Sequence, residues 1–192
     1  GDAPWKNWDE FVAYAKKNPG KVTYGSVGTG TTNHLATARI GKVLGLDWKH
    51  VPLQSGVKNT AALLGGHVDI INNSMASVVS SIKAGKIRAL LVTSENRFSV
   101  CPDVPTMKEK GFKFSQISYM SIIAPGATPK NALDKLSEAL EVATKDKGVV
   151  KACAKLDMHP KFMSGKNYTA LLKKLSQEWG ALFPELGVKV KK

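Results

Sequence analysis

The spacing of apolar positions divides the chain into short strands and amphipathic helices. Trp8, Phe11, Val12 and Ala15 recur at i, i+3, i+4 and i+7, which predicts a helix opened by the capping pattern Asn7-Trp8-Asp9-Glu10 and stopped by Asn18-Pro19-Gly20. Lys21-Val22-Thr23-Tyr24 reads as a strand, and a helix from about Thr32 to Leu44 turns Ala36, Ile40, Val43 and Leu44 inward before ending at Gly45. A second strand near Trp48 to Leu53 leads to a helix with Val57, Ala61 and Leu64 on one face. Val68-Asp69-Ile70-Ile71 reads as the third strand, followed by a helix with Met75, Val78, Val79 and Ile82 on its stripe, and Ile87 to Thr93 as the fourth. The third and fourth strands are apolar runs that do not alternate, so they are expected to be buried on both faces. Strand and helix alternate four times, which makes the class α/β, a parallel sheet flanked by helices.

After residue 94 the texture changes. An irregular stretch holds Pro102 and Pro105, Tyr119 to Ile123 reads as a further strand, and Ala124-Pro125-Gly126-Ala127 breaks it. Thr128-Pro129 then predicts a helix start, hydroxyl cap before a first-turn proline, with Leu133, Leu136, Leu140 and Ala143 as its stripe. Val149, Cys153 and Leu156 suggest a short helix, and Leu171, Leu172, Leu175, Trp179 and Leu182 a long final one ending near Pro184, so the C-terminal third is expected to be helical.

Composition changes this picture little. The chain has 192 residues, 43% of them hydrophobic, and a net charge of +13. That charge raises nucleic acid as a partner, but the excess is six in residues 1–100 and seven in residues 101–192, with no basic tail and no clustered arginine. A solvated basic surface is the plainer reading, so no nucleic-acid partner is expected. Runs such as Ala89-Leu90-Leu91-Val92 are too short to span a bilayer, and Gly1-Asp2-Ala3-Pro4 lacks the regions of a secretory leader. Cys101 and Cys153 fit no zinc spacing and read as thiols sooner than as a disulfide.

The chemistry gathers at the turns that follow the strands. Tyr24 to His34 runs from a strand through three glycines and several hydroxyls into a helix, which suits an anion. In a parallel α/β sheet, ligands sit beyond the carboxyl ends of the strands. The turns expected there supply Ser26, Gly28, Thr29, Gly30, Thr31, Thr32 and His34, then Gln54, Ser55 and Gly56, then Asn72, Asn73 and Ser74. These are neutral hydrogen-bonding groups with no nucleophile beside an evident base, an inventory for binding with no catalytic residue and no cofactor.

Nucleotide motifs fail on detail. Thr31 stands where a P-loop needs its lysine, and Asn33 where a dinucleotide fingerprint needs its third glycine. His34 reads first as a neutral imidazole bonded to a neighbouring loop, with pairing to a carboxylate as the sharper alternative. Asp69 reads as satisfying local backbone groups. His67 and Asp69 share a strand face, but no further ligands appear, so no metal is expected.

At these residues the sequence resembles the extracytoplasmic solute-binding proteins of the tripartite tricarboxylate transporter family, also called the Bug family. Tyr24-Gly25-Ser26 through His34 matches its glycine-rich turn and histidine, and Leu63-Leu64-Gly65-Gly66-His67-Val68-Asp69 its helix end and third strand. Pro102-Asp103-Val104-Pro105-Thr106 and Ala124-Pro125 through Thr128-Pro129 match further on. The resemblance implies a periplasmic-binding-protein-like (type II) fold whose two domains close on a small carboxylate and hand it to membrane permease subunits. It implies a periplasmic location and a chain that begins where the family's second domain begins, without the N-terminal part of the first.

On that resemblance, residues 1–118 are expected to form the second, ligand-binding α/β domain, with strand order 2-1-3-crossing strand-4. Residues 119–192 are expected to cross back and supply helices to the first domain. Their apolar stripes then require packing against residues 1–118 or self-association. Departures leave the ligand open: Leu53-Gln54-Ser55-Gly56, Asn72-Asn73, Tyr119 and Ser121 replace the family's usual residues. Two other classes compete, an α/β enzyme acting on an anionic metabolite with His34 as acid or base, and a sensor or interaction module without a ligand.

Overall fold

The computed structural model describes residues 3–117, 119 and 121–187. The chain divides into two compact units, residues 1–118 with 181–192, and residues 119–180.

In the first unit, helix α1 (Trp8–Lys17) begins where Asn7 Oδ1 accepts from Glu10 N at 2.9 Å. The Glu10 carboxylate answers by taking the Lys6 N–H at 2.7 Å. Strand β1 (Val22–Ser26), helix α2 (Thr32–Leu44), strand β2 (Trp48–Pro52), helix α3 (Gly56–Leu64), strand β3 (Ile70–Ile71) and helix α4 (Met75–Lys83) follow in order. The three strands form one parallel sheet in the order β2-β1-β3. Trp8, Phe11 and Ala15 of α1 bury against Trp5, Val22, Ile40, Leu46, Met107 and Phe112 to make the main core.

Several expectations are corrected. The third strand is two residues long instead of four. The fourth, expected over residues 87–93, shrinks to one parallel bridge between Val92 and Thr106. There the irregular stretch returns, Val92 N donating to Pro105 O at 2.9 Å and Met107 N to Val92 O at 2.8 Å, so pairing is confined to one residue. That stretch is braced by Arg97, which grips Glu109 at 2.9 to 3.1 Å and Pro102 O at 2.7 Å. Arg97 first, then the Thr106 N–H, hold the Glu109 carboxyl down at about 2. Val43 is exposed instead of inward.

The largest correction is the face of α3. Asn59 is 0% and Thr60 9% exposed, while Val57 and Leu64 are 78% and 49% exposed. The helix turns its polar side inward because Asn59 Nδ2 satisfies Gly25 O and Asn72 O, and Thr60 Oγ1 satisfies Gly56 O and Ser77 O.

The second unit holds α5 (Lys130–Lys145), α6 (Lys147–Lys155) and α7 (Gly165–Gly180). Pro129 has ψ 142, extended, so it occupies the cap position and α5 starts one residue later than expected. None of the three helices contributes a buried residue. Tyr119, Ser121, Ile122 and Ile123 belong to no paired strand among the described residues, and Met120 of the expected crossing strand lies outside them. The final helix is also shorter than expected: α7 stops at Gly180, and Leu182 belongs to a separate turn, α8 (Leu182–Glu185), which groups with the first unit. There Phe183 lies against Gly30, and Glu185 pairs with Lys42 at 3.0 Å.

Candidate functional site

The parallel register sets Ser26 beside Pro52 and Gly25 beside Ile71. The turns at 27–31, 53–55 and 72–74 therefore leave one edge of the sheet together and open onto the N-termini of α2, α3 and α4. Gly25 is required at that edge: a Cβ there would collide with Asn59 Oδ1 and come within 3.0 Å of Leu53 Cδ1. Gly30, at φ 78, makes the left-handed step that carries β1 into α2.

The first turn is closed by its own side chains. Thr31 Oγ1 donates to Gly28 O at 2.7 Å and accepts from His34 N at 3.4 Å, capping α2. Gly30 N donates to His34 Nδ1 at 3.0 Å. A ring nitrogen that accepts carries no proton, so His34 is neutral with its hydrogen on Nε2. Ser26 is fully buried, its Oγ 2.7 Å from His50 Nε2 and 3.1 Å from Gly28 O. The His34 and His50 rings stack with centroids 3.9 Å apart, and Tyr24 lies 5.0 Å from His50. Burial pulls the His34 pKa down, and burial plus the His34 charge pull His50 down to about 4. Burial pushes the Tyr24 phenol up to about 12.

At the second turn Gln54 adopts φ 62, unusual for a residue with a side chain, and its Oε1 accepts from Lys58 Nζ at 2.7 Å. Ser55 Oγ accepts from Lys58 N at 3.2 Å and so caps α3. At the third turn Asn72 Nδ2 donates to Gln116 Oε1 at 3.0 Å, to Thr37 Oγ1 at 3.1 Å and to Asn33 O at 3.3 Å. Asn33 Nδ2 returns to Asn72 Oδ1 at 3.1 Å. Asn73 Nδ2 donates to Gly56 O at 2.9 Å, and Ser74 Oγ lies 3.0 Å from Ser77 Oγ. Asn59 Nδ2 reaches Asn72 O at 3.3 Å and Gly25 O at 3.5 Å, while its Oδ1 has no hydrogen-bond partner among the described residues.

The residues expected from sequence thus divide into two groups. Ser26, Gly28, Gly30, Thr31 and His34 form one bonded turn, Asn72 ties the third turn to α2 and α3 and Asn73 ties it to α3, and Ser55 with Gly56 opens α3. Thr29, Thr32, Gln54 and Ser74 are exposed on the rim. Sequence reasoning missed His50, Asn33, Asn59, Lys58, Thr37 and Gln116. A signal existed for His50, which lies two residues from Trp48 and hence on the same strand face. A polar pair, Asn59-Thr60, inside an otherwise apolar helix was a second signal.

What the arrangement offers is donors. The N–H groups of Thr32, of Gly56 and Val57, and of Met75 and Ala76 have no partner among the described residues, as expected in the first turn of a helix. They lie at the ends of three helix dipoles. No group of three His, Cys, Asp or Glu is placed to hold a metal among the described residues. His34 has its Nδ1 committed to Gly30, and Ser26 has no exposure, so neither is presented for bond-breaking.

A family model described as the tripartite tricarboxylate transporter family receptor matches residues 1–188. A protein of Cupriavidus necator, "UPF0065 protein in gbd 5'region", is 34% identical over 97% of the chain, and the chain spans 57% of its length. A solved structure described as a periplasmic transporter superposes with TM-score 0.92 at 30% identity, over 99% of this chain and 64% of that one. The periplasmic binding protein BugD superposes at TM-score 0.83 and 27% identity, over 99% and 64%. The fold is that of the periplasmic binding proteins, a parallel sheet flanked by helices with a helical C-terminal region.

Proposed function

The chain belongs to the tripartite tricarboxylate transporter family of receptors, and on that premise we propose that it binds a small carboxylate outside the cytoplasm and delivers it to membrane permease subunits. This is a binding family and not a catalytic one. The observation that carries the reading is the edge of the sheet itself. Three helix N-termini present unfilled N–H groups beside hydroxyls and amides, with no carboxylate side chain among the turn residues. Such a surface attracts a carboxylate through backbone donors and dipoles, and it needs no lysine or arginine in the turn.

Within that reading the turns 27–31, 53–55 and 72–74 form one wall of the site. Thr29, Thr32, Gln54 and Ser74, exposed on its rim, read the part of the ligand beyond the carboxylate. A periplasmic location follows from the same reading. Calorimetric titration of the protein with malate, citrate, adipate and benzoate tests it. Saturable heat with at least one is the expected result, and none with any would overturn the proposal.

A further inference from the structure

A buried imidazole stacked on a half-buried one is costly to charge. His34, in the first turn of α2, and His50, on β2, lie with ring centroids 3.9 Å apart at 23°. Both end on the glycine turn: Gly30 N donates to His34 Nδ1 at 3.0 Å, and His50 Nε2 is 2.7 Å from Ser26 Oγ. Ser26 Oγ in turn accepts from Gly28 N at 3.3 Å.

Among the described residues, the ring that packs on the pair is uncharged. From β1 comes Tyr24, an uncharged phenol whose ring is 5.0 Å from His50 and 6.2 Å from His34. From α8 comes Phe183, against Gly30, and Glu185, which is paired with Lys42 of α2 at 3.0 Å. Arg39 of α2 is 4.1 Å over the Phe114 ring, and Lys58 of α3 is bonded to Gln54. Neither imidazole has a carboxylate partner among the described residues.

We propose that the His34–His50 pair is a proton-operated latch on the glycine turn, holding the Gly30 N–H inward while neutral and releasing it when His34 takes up a proton. A proton on His34 Nδ1 turns the acceptor into a donor that faces another donor, so that bond cannot persist. A proton on His50 keeps the Ser26 contact, because Nε2–H then donates to Oγ, but it opposes a second charge on the stacked ring. The pair therefore titrates in two coupled steps. Burial lowers both groups, so the latch is shut at neutral pH and opens below the ordinary imidazole range. An open turn offers an anion one more N–H and a positive ring; that consequence rests on the carboxylate reading, whereas the latch does not.

The test uses ligand-free protein, so its failure is separate from failure of carboxylate binding. NMR follows the His34 and His50 ring signals and the Gly30 amide from pH 7.5 to 4.5, in the wild type and in His34→Gln and His50→Gln. In the wild type, Gly30 is expected to shift with the His34 ring and to lose about tenfold in exchange protection after correction for intrinsic rates. Gln at 34 keeps an acceptor that does not titrate, so Gly30 should stay constant. His34 takes up its proton ahead of His50, so Gln at 50 should leave the Gly30 transition in place and tracking the His34 ring. A Gly30 amide that stays flat in the wild type while the rings titrate would overturn the latch, as would the same transition in His34→Gln. Should His34→Gln lose its far-UV dichroism, a Gly30 transition in His50→Gln that departs from the His34 ring titration overturns it instead.

Discussion

Asn72 Nδ2 donates to Gln116 Oε1 at 3.0 Å, joining the third turn to a residue whose own N–H is held by Thr93 O at 2.8 Å. Gln116 is buried, so replacing its amide deletes one bond of Asn72 Nδ2, which keeps Thr37 Oγ1 and Asn33 O. Gln116→Leu is expected to cost about 0.5–1.5 kcal/mol in urea denaturation. Combined with Asn72→Ala, the loss should be clearly less than the sum of the two, because both substitutions delete the same bond. Simple additivity would show that the pair is not coupled.

The inverted face of α3 makes a contrast that hydrophobicity alone would not. Val57 is 78% exposed, so Val57→Ser should change stability by no more than about 0.5 kcal/mol. Asn59 holds Gly25 O and Asn72 O, so Asn59→Ala should cost about 1–3 kcal/mol. Thermal melts of both variants check this. The reverse ranking would mean that α3 packs on its apolar side.

Stability should depend on pH through the stacked histidines. Both have folded pKa values below the unfolded value of 6.5, His50 at about 4. Between those limits the unfolded chain binds protons that the folded chain does not. Stability is therefore fully present above pH 6.5 and is lost as pH falls toward about 4. The melting temperature should drop by several degrees between pH 7 and 5, and by less in His50→Gln. An equal slope in both proteins would remove the histidines as the cause.

Thr31 performs two tasks at once, capping α2 and holding Gly28 O. Thr31→Val keeps the shape and removes both bonds. The expected cost is about 1 kcal/mol of stability, together with weaker carboxylate binding in calorimetry. Unchanged affinity would place the ligand away from the first turn.

Much of this was legible in the chain. Helix α2 runs from Thr32 to Leu44 as its pattern predicts, and Asn7 and Ser55 sit at helix starts. Local rules suffice there because the caps and stripes are set by residues within four positions of one another. The rest depended on distant partners. Asn59 and Thr60 are inward because they meet Gly25, Asn72 and Asn73, up to 34 positions away. His50 belongs to the first turn only because β2 lies beside β1. The fourth strand failed because Val92 pairs with a returning loop, which no apolar run announces.

A carboxylate held by the converging helix N-termini would perturb their free amides on binding. NMR titration of the protein with the acid that gives saturable heat tests it most directly, read at the amides of Thr29, Thr32, Gly56, Val57, Met75 and Ala76. These amides are expected to shift together along one saturable curve, with those of α1 unmoved. Saturable binding that leaves all six in place would contradict it.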